Sequence, residues 1–265
     1  MAKSTYQTIK IFGLDVFSSD YAGLLTLLLT HLQTNKSLLT IMTPNPEQIV
    51  LSRRDQTFLD HLQSADILIP DGIGLVIASN LLTTRQSGAI NERITGRQLA
   101  ADLLALAGQH SFSVLVVGGQ HYSLDEHASE GELSVLSSDK SQAHVYWTQG
   151  YADVHHPSEK EEAALISLIE KKKPAIIFVA FGAPFQEAWL VQHRVELEKA
   201  GVQLAMAVGG AFDMLLGKIS PAPRTMQRLG LEWLYRLYRE PWRWRRQLQL
   251  LVFIKLVIQQ WLAGK

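Results

Sequence analysis

The sequence predicts an α/β fold, a doubly wound and mostly parallel sheet with helices on both faces. Three observations support this. Short apolar runs of strand length alternate along the chain with segments of helical periodicity. Most of these runs end in a turn rich in glycine or proline. At 265 residues, 47% of them hydrophobic, the chain can bury a substantial sheet.

The clearest unit of this kind lies between residues 38 and 76. Leu38–Met42 has the composition of a short strand, and the two prolines that follow stop it because proline has no N–H to give a ladder. A single helical segment is expected from Glu47 to about Leu62, where apolar residues recur at helical spacing. A second strand, Ile67–Ile69, then ends at Pro70.

The polar residues that follow these two strands are candidates for a site. Loops at the carboxyl ends of parallel strands line the ligand crevice, so we expect Thr43, Asn45 and Asp71 to face one another there. For Asp71 the alternative is an N-cap of the next helix, and Asn45 could equally serve as a cap.

The remaining elements continue the alternation. An apolar run at Ile9–Val16 belongs to the scaffold, and we expect further strands at Ser113–Val117, Ala143–Trp147, Ala175–Phe181 and Leu204–Val208. We expect helices at Tyr21–Leu32, Gly72–Leu82, Gln98–Ala107, Ser158–Lys172 and Glu187–Lys199, with a weaker helix between Gln120 and Ala143. The long polar segment Thr83–Arg97 is typical of a functional loop.

Five strand ends share the character of a ligand site: TPN, PDG, GGQ, GAP and VGG. Glycine lets backbone N–H groups approach a ligand closely, so Gly118, Gly119, Gly209 and Gly210 are candidates for binding a nucleotide. Any one of these turns alone is explained by tight strand-to-helix geometry. Neither a G-x-G-x-x-G nor a P-loop sequence is present.

Several chemistries are excluded or disfavoured by the sequence. The chain has no cysteine, which excludes disulfides, thiolate metal sites and a cysteine nucleophile. It has no G-x-S-x-G elbow, which disfavours an α/β-hydrolase, and no D-x-D pair to hold a metal against a diphosphate. The pattern of Asp153, His155 and His156 is typical of an exposed polar loop. We therefore expect no metal and no cofactor. The N-terminus lacks the apolar run of a signal peptide, so export is not expected.

The C-terminal segment differs in charge from the rest. Residues 224–265 carry nine Lys and Arg against two Glu, a net +7, and residues 1–223 carry −7. A helix over Arg224–Glu240 would be amphipathic and basic, and Trp242–Arg246 mixes indoles with guanidinium groups. Leu248–Leu262 is apolar but interrupted by polar residues, which favours lying in a membrane interface over spanning the bilayer. The alternative is a helix pair packed on the body.

Taken together, these segments resemble a known family. TPNPEQIV, ADILIPDGIGLV, ERITG, VLVVGG, FGAPFQE and the long segment from VGGAFDML to LYREPWR occur in the order found in the bacterial WecG/TagA/CpsF glycosyltransferases, glycosyltransferase family 26. The resemblance covers roughly residues 9–249 and implies a Rossmann-like body over residues 1–223 and a C-terminal appendage, residues 224–265, that acts at the membrane. Truncation after Pro223 is then expected to leave a folded body.

The resemblance also implies an activity. It is the inverting transfer of an N-acetylmannosamine-type sugar from a UDP donor to undecaprenyl-diphosphate-linked N-acetylglucosamine, in the synthesis of teichoic acid or other surface polysaccharides. The missing D-x-D pair adds the expectation that this transfer is metal-independent. The partners would be the donor, the lipid-linked acceptor and an anionic membrane, with no nucleic acid. The expected location is the cytoplasmic, inner face of the bacterial plasma membrane, as a peripheral protein.

Residue roles follow from the matching motifs. Asp71 resembles the proposed general base, with Thr43 and Asn45 as its polar neighbours. The resemblance implies that the substrate is bound by residues in the ERITG, GAPFQE and tail motifs, namely Arg93, Gln186, Arg236, Arg243 and Arg246. The sequence departs from the family pattern at Phe185, where lysine is usual, at Gln98, where aspartate is usual, and after Gly119.

Two other function classes stay open on the residues alone. A nucleotide-binding oxidoreductase would use the same strand ends, and a non-catalytic membrane-bound family member would keep the tail and lose the site. The sequence leaves open the donor sugar, the pathway and whether the chain forms a homo-oligomer off the membrane.

Overall fold

The structure is a computed structural model. It describes residues 6–82, 90, 92–120, 122, 129–136, 142–220, 222–223, 225–226, 231–239, 241 and 244–263. For residues 134, 136, 142, 236 and 245–247 it describes the backbone alone.

The described strands and helices are numbered here in chain order. The strands are β1 (Thr8–Ile11), β2 (Leu14–Phe17), β3 (Leu39–Met42), β4 (Ile67–Leu68), β5 (Val114–Gly118), β6 (Glu130–Leu136), β7 (Gln142–Thr148), β8 (Ile176–Ala180) and β9 (Leu204–Ala207). The helices are α1 (Tyr21–Thr34), α2 (Pro46–Ser52), α3 (Gln56–Ser64), α4 (Ile73–Leu82), α5 (Gly96–His110), α6 (Glu159–Lys172), α7 (Phe185–Gln192), α8 (Arg194–Ala200), α9 (Ala211–Leu215), α10 (Glu232–Arg239) and α11 (Trp244–Ala263).

The main sheet has seven strands in the order β4-β3-β9-β8-β5-β7-β6. All neighbouring pairs are parallel except β6 and β7, which run antiparallel at one edge. Strands β1 and β2 form a separate antiparallel hairpin. This topology confirms the predicted doubly wound, mostly parallel α/β fold.

Helices cover both faces of the sheet because alternate residues of each strand point to opposite sides. In β8, Ile177 and Val179 face one core, which α2, α3, α4, α6, α7, α8 and α11 cover. Ile176 and Phe178 face the other core, which α1, α5 and α9 cover. The strands are thus buried on both sides, as continuous apolar runs such as VLVVG and IIFVA predict.

Two helices that the sequence predicts as single are each divided in two. The segment 47–62 forms α2 and α3, because the Asp55 side chain accepts a hydrogen bond from the N–H of Phe58 (3.0 Å) and caps a new helix. The segment 187–199 forms α7 and α8, separated at His193. Periodicity alone missed both breaks, because the apolar faces continue across them.

The apolar run Ile9–Val16 forms the β1–β2 hairpin, which turns at Phe12 and Gly13. The weaker helix expected between Gln120 and Ala143 is contradicted by β6, where Leu133 and Val135 are buried with the period of two that a strand requires. Residues 121, 123–128 and 137–141 of that segment lie outside the described part of the chain.

The C-terminal helix α11 packs one face against α2 and α4. Phe253 and Val257 are buried in the core of the body, and the Phe253 ring meets Phe12 edge-on with 6.0 Å between ring centroids. The opposite face exposes an apolar stripe, Trp244, Leu248, Leu251, Ile258 and Leu262. Among the described residues, no helix combines the length and hydropathy needed to cross a membrane. The division of the chain at residue 223 stays a prediction.

Candidate functional site

A cavity of about 470 Å³ opens at the carboxyl ends of β3, β4, β8 and β9. Its volume falls in the range of ~300 to 1,000 Å³ that is typical of small-molecule sites. Loops following these four strands form its floor, and α10 contributes to one wall. The cavity lies where an open parallel sheet is expected to bind its ligand.

The structure brings the three predicted catalytic residues Thr43, Asn45 and Asp71 together in the lining of this cavity. The Thr43 hydroxyl donates to the carbonyl of Ala207 (3.3 Å), which ties the ends of β3 and β9 together. The N–H of Asp71 donates to the carbonyl of Pro44 (3.0 Å), which ties the loop after β4 to the loop after β3. The three residues share one cavity lining, and their catalytic roles stay predictions.

Asn45 has a structural task in addition to its place in the lining. Its Oδ1 accepts from the N–H of Gln48 (3.0 Å), and Gln48 Oε1 accepts from the N–H of Asn45 (3.1 Å), so the two form a capping box at the start of α2. The first turn of α4 approaches this cap closely. A Cβ on Gly74 would lie 2.9 Å from Pro46 Cγ, so only glycine fits there without a shift.

Gln186 joins two of the glycine-rich strand ends. It is buried, and its Oε1 accepts from the N–H groups of Gly209 (2.9 Å) and Gly182 (3.2 Å). Gly182, Gly209, Gly210 and Gln186 all line the cavity. The loops after β8 and β9 are therefore held side by side, as a ligand bridging them would require.

A carboxylate lies beneath this part of the cavity. Glu187 is 1% exposed, and its Oε1 accepts from Gln186 Nε2 (2.9 Å) and Gln48 Nε2 (3.1 Å). Burial raises the pKa of Glu187 to about 7, while the bonds from Gln186 and Gln48 act in the opposite direction.

The predicted binding residue Arg93 also lines the cavity, together with Arg97. The Arg93 guanidinium forms an ion pair with the carboxylate of Glu232, in which both side chains are about three-quarters buried. Glu232 and its neighbour Trp233 belong to α10 and line the same cavity. The C-terminal segment therefore reaches the site by a charged contact.

The other predicted binding residues are placed differently. Gly118 and Gly119 are not part of this lining. Gly118 accepts a hydrogen bond from Trp147 Nε1 (2.8 Å), and a Cβ on Gly119 would lie 2.2 Å from the Tyr122 ring, so packing explains the glycine. Arg236 and Arg246 lie in α10 and α11 with only their backbones described, and Arg243 lies outside the described residues. Their binding roles stay predictions.

Two of the departures from the family pattern are at Phe185 and Gln98. Phe185 packs edge-on against His155, with ring centroids 4.5 Å apart, and the N–H of Gln98 donates to the Thr95 cap of α5. Neither side chain is in the described lining. His156 contacts Asp153 at 3.0 Å on the surface, and the described residues contain no group of three or more metal-ligating side chains.

Comparison with known proteins identifies the family. The model of the WecG/TagA/CpsF glycosyl transferase family matches residues 9–265. The chain belongs to this family. It is thus a glycosyltransferase rather than an oxidoreductase, and the match extends through α10 and α11.

Two similar relatives share one name. Both are N-acetylglucosaminyldiphosphoundecaprenol N-acetyl-beta-D-mannosaminyltransferases. The one from Bacillus subtilis (strain 168) is 29% identical over 254 residues, covering 96% of this chain and 92% of the relative. The one from Bacillus spizizenii is 31% identical over 254 residues, covering 96% and 91%.

Some residues of the site were missed by the sequence analysis. They are Gln48, Arg97, Glu187, Glu232 and Trp233. The spacing of Asn45 and Gln48 is that of a capping box and could have indicated Gln48. Glu187 meets Gln48, and Glu232 meets Arg93, across 139 residues of sequence, which no local pattern reveals.

Proposed function

We propose that this chain transfers an N-acetylmannosamine-type sugar from a UDP donor to undecaprenyl-diphosphate-linked N-acetylglucosamine, with inversion and without a metal ion. The observation that carries the proposal is the convergence of Asp71, Thr43, Asn45, Arg93 and Gln186 in one cavity. The names of the two relatives support the acceptor and the sugar.

In the proposed reaction the acceptor hydroxyl attacks the anomeric carbon of the donor from the face opposite the diphosphate. The new bond to oxygen forms as the bond between the anomeric carbon and the diphosphate oxygen breaks, and UDP leaves with the electron pair. Asp71 accepts the proton of the hydroxyl, since it is a carboxylate placed in the cavity lining. One carboxylate is sufficient for such a single displacement.

Positive charge must stabilise the UDP leaving group. Arg93 and Arg97 stand in the cavity, and Arg236, Arg243 and Arg246 are proposed to supply more from the C-terminal segment. Metal independence rests on the sequence, which has no D-x-D pair to hold a metal against the diphosphate.

The lipid-linked acceptor must be reached at a membrane. We propose that the chain binds peripherally to the inner face of the bacterial plasma membrane through the exposed apolar stripe of α11 and the basic residues around it. Trp244, Leu251 and Ile258 are each more than half exposed on that helix. Apolar residues of an interfacial helix enter the headgroup boundary, and basic residues add attraction to anionic lipid.

A transfer assay tests the function. We expect sugar from UDP-N-acetylmannosamine, or from its uronic acid, to appear on a lipid-linked N-acetylglucosamine acceptor, at the same rate with or without EDTA. Loss of transfer in EDTA that Mg²⁺ or Mn²⁺ restores would refute the metal-free mechanism. Absence of transfer with both donors, in protein that binds UDP by titration calorimetry, would refute the proposed reaction and favour a non-catalytic family member.

Vesicle sedimentation tests the membrane surface. The double variant Leu251→Ser, Ile258→Ser should bind anionic vesicles about tenfold or more weakly, because each change removes roughly 1 kcal/mol of apolar burial. Val195→Ser is the matched control, since Val195 is 55% exposed on α8. Equal binding of the double variant and the control would show that α11 does not form the membrane surface.

A further inference from the structure

Glu187 is a buried carboxylate to which the proposed mechanism assigns no task. It lies in the first turn of α7 beneath the cavity, and the hydrogen bonds that it accepts from Gln48 and Gln186 both end on one oxygen, Oε1. In the described part of the chain Oε2 is buried without a hydrogen-bond partner. Burying a carboxyl group is unfavourable unless it is compensated, so its presence requires an explanation.

The two glutamines bound by Glu187 have fixed orientations. Gln48 Oε1 accepts from the N–H of Asn45, and Gln186 Oε1 accepts from the N–H groups of Gly182 and Gly209. Because each amide oxygen is used by the backbone, each NH₂ group must point the other way. Both NH₂ groups point to Glu187 Oε1.

One oxygen atom therefore links the loops that follow three strands. Through Gln48 it holds the loop after β3, and through Gln186 it holds the loops after β8 and β9. These loops carry Asn45, Gly182 and Gly209, all of which line the cavity. The side chains that link these loops, Gln48, Gln186 and Glu187, are each less than one-tenth exposed.

We propose that Glu187 is a positioning residue of the transferase site, which sets the spacing of the loops after β3, β8 and β9 around the donor by accepting from Gln48 and Gln186 at once. The inference rests on the proposed function and extends it. A side chain that cannot accept a hydrogen bond would leave two buried NH₂ groups unsatisfied, so the glutamines would rotate and release the backbone of Asn45 and Gly209.

This arrangement requires an oxygen that accepts two hydrogen bonds, and it does not require a negative charge on Glu187. A neutral carboxyl group can carry its proton on Oε2 and still accept twice at Oε1. The raised pKa of Glu187 agrees with this, because it places the neutral form within reach at neutral pH. Glutamine, with its carbonyl oxygen at the same place, is therefore the conservative replacement, and leucine is the disruptive one.

The test compares transfer by the full-length variants Glu187→Gln and Glu187→Leu. We expect Glu187→Gln to keep kcat/KM within about threefold of the wild type. Glu187→Leu should lower it on the order of 100-fold, since small misplacements of site residues have effects of that size. Leu165→Ala, a buried change in α6, is the control for a general loss of stability. The proposal would be overturned if folded Glu187→Leu kept the wild-type rate. It would also be overturned if Glu187→Gln or Leu165→Ala lost as much activity as Glu187→Leu.

A second measurement needs no activity. In the unliganded wild type, the side-chain NH₂ groups of Gln48 and Gln186 should exchange with solvent at least about tenfold more slowly than those of exposed Gln56. This protection should persist in Glu187→Gln. Exchange at the rate of Gln56 would overturn the positioning role even if Glu187→Leu does not fold. Slow exchange in a protein that transfers no sugar would instead refute the proposed function alone.

Discussion

Asp71→Asn should lower kcat by ~10² to 10⁴-fold, the usual contribution of a general base. Asparagine has nearly the same shape and can still accept a hydrogen bond, but it cannot take up the proton of the acceptor hydroxyl. The fold should persist because the contact that holds this loop, from the N–H of Asp71 to the carbonyl of Pro44, is made by the backbone. Steady-state transfer kinetics measures the loss, and titration calorimetry should give an unchanged affinity for UDP.

The matched control is Glu47→Gln, because Glu47 is another carboxylate in the lining of the same cavity. It follows Asn45 in the first turn of α2 and is not the residue that the family pattern aligns with the base. Its loss in kcat should stay below tenfold. If Asp71→Asn also loses less than tenfold, Asp71 is a structural residue and the base must be another group.

Phe253→Ala should lower the free energy of unfolding by ~3 to 5 kcal/mol, the usual range for a buried phenylalanine. Phe253 is 2% exposed and lies against Phe12 and the first turn of α4. Urea unfolding followed by circular dichroism measures the change. Leu251→Ala on the exposed face of the same helix is the control, and it should change stability by less than about 1 kcal/mol.

This burial revises the expectation that a chain ending at Pro223 folds by itself. Deleting α11 would remove Phe253 and Val257 from the core and expose the surfaces of α2 and α4 that they cover. We therefore expect the truncated chain to be less stable than the full chain. If the truncated chain were as stable as the full chain, α11 would be docked too weakly to support the body. The same conclusion would follow if Phe253→Ala were as stable as the wild type.

The sequence predicts those site residues that directly follow the ends of strands. Thr43, Asn45 and Asp71 follow strands β3 and β4, which are parallel neighbours, so their convergence follows from the fold class alone. Gly209 and Gln186 follow from the same rule for β9 and β8. Tight packing accounts for Gly119 instead, because a glycine that admits a ligand and one that admits a tyrosine ring look alike in sequence.

The part that the sequence does not predict depends on contacts between distant segments. Gln48 meets Glu187 only because α2 and α7 cover the same face of the sheet, and residue spacing along either helix contains no sign of it. The break between α2 and α3 was missed for a related reason. The first helix ends at Ser52 and Asp55 begins the second, without interrupting the apolar face, so the apolar periodicity continues although the helical backbone is broken.

The ion pair between Arg93 and Glu232 has a thermodynamic consequence. A ligand whose phosphate binds Arg93 must compete with the Glu232 carboxylate of α10. Part of the binding free energy then offsets the loss of this contact between α10 and the body. Linkage between equilibria is reciprocal. A surface that binds the basic residues around α10 and draws the helix away therefore raises the affinity of Arg93 for the ligand. The ligand raises the affinity of α10 for that surface by the same factor.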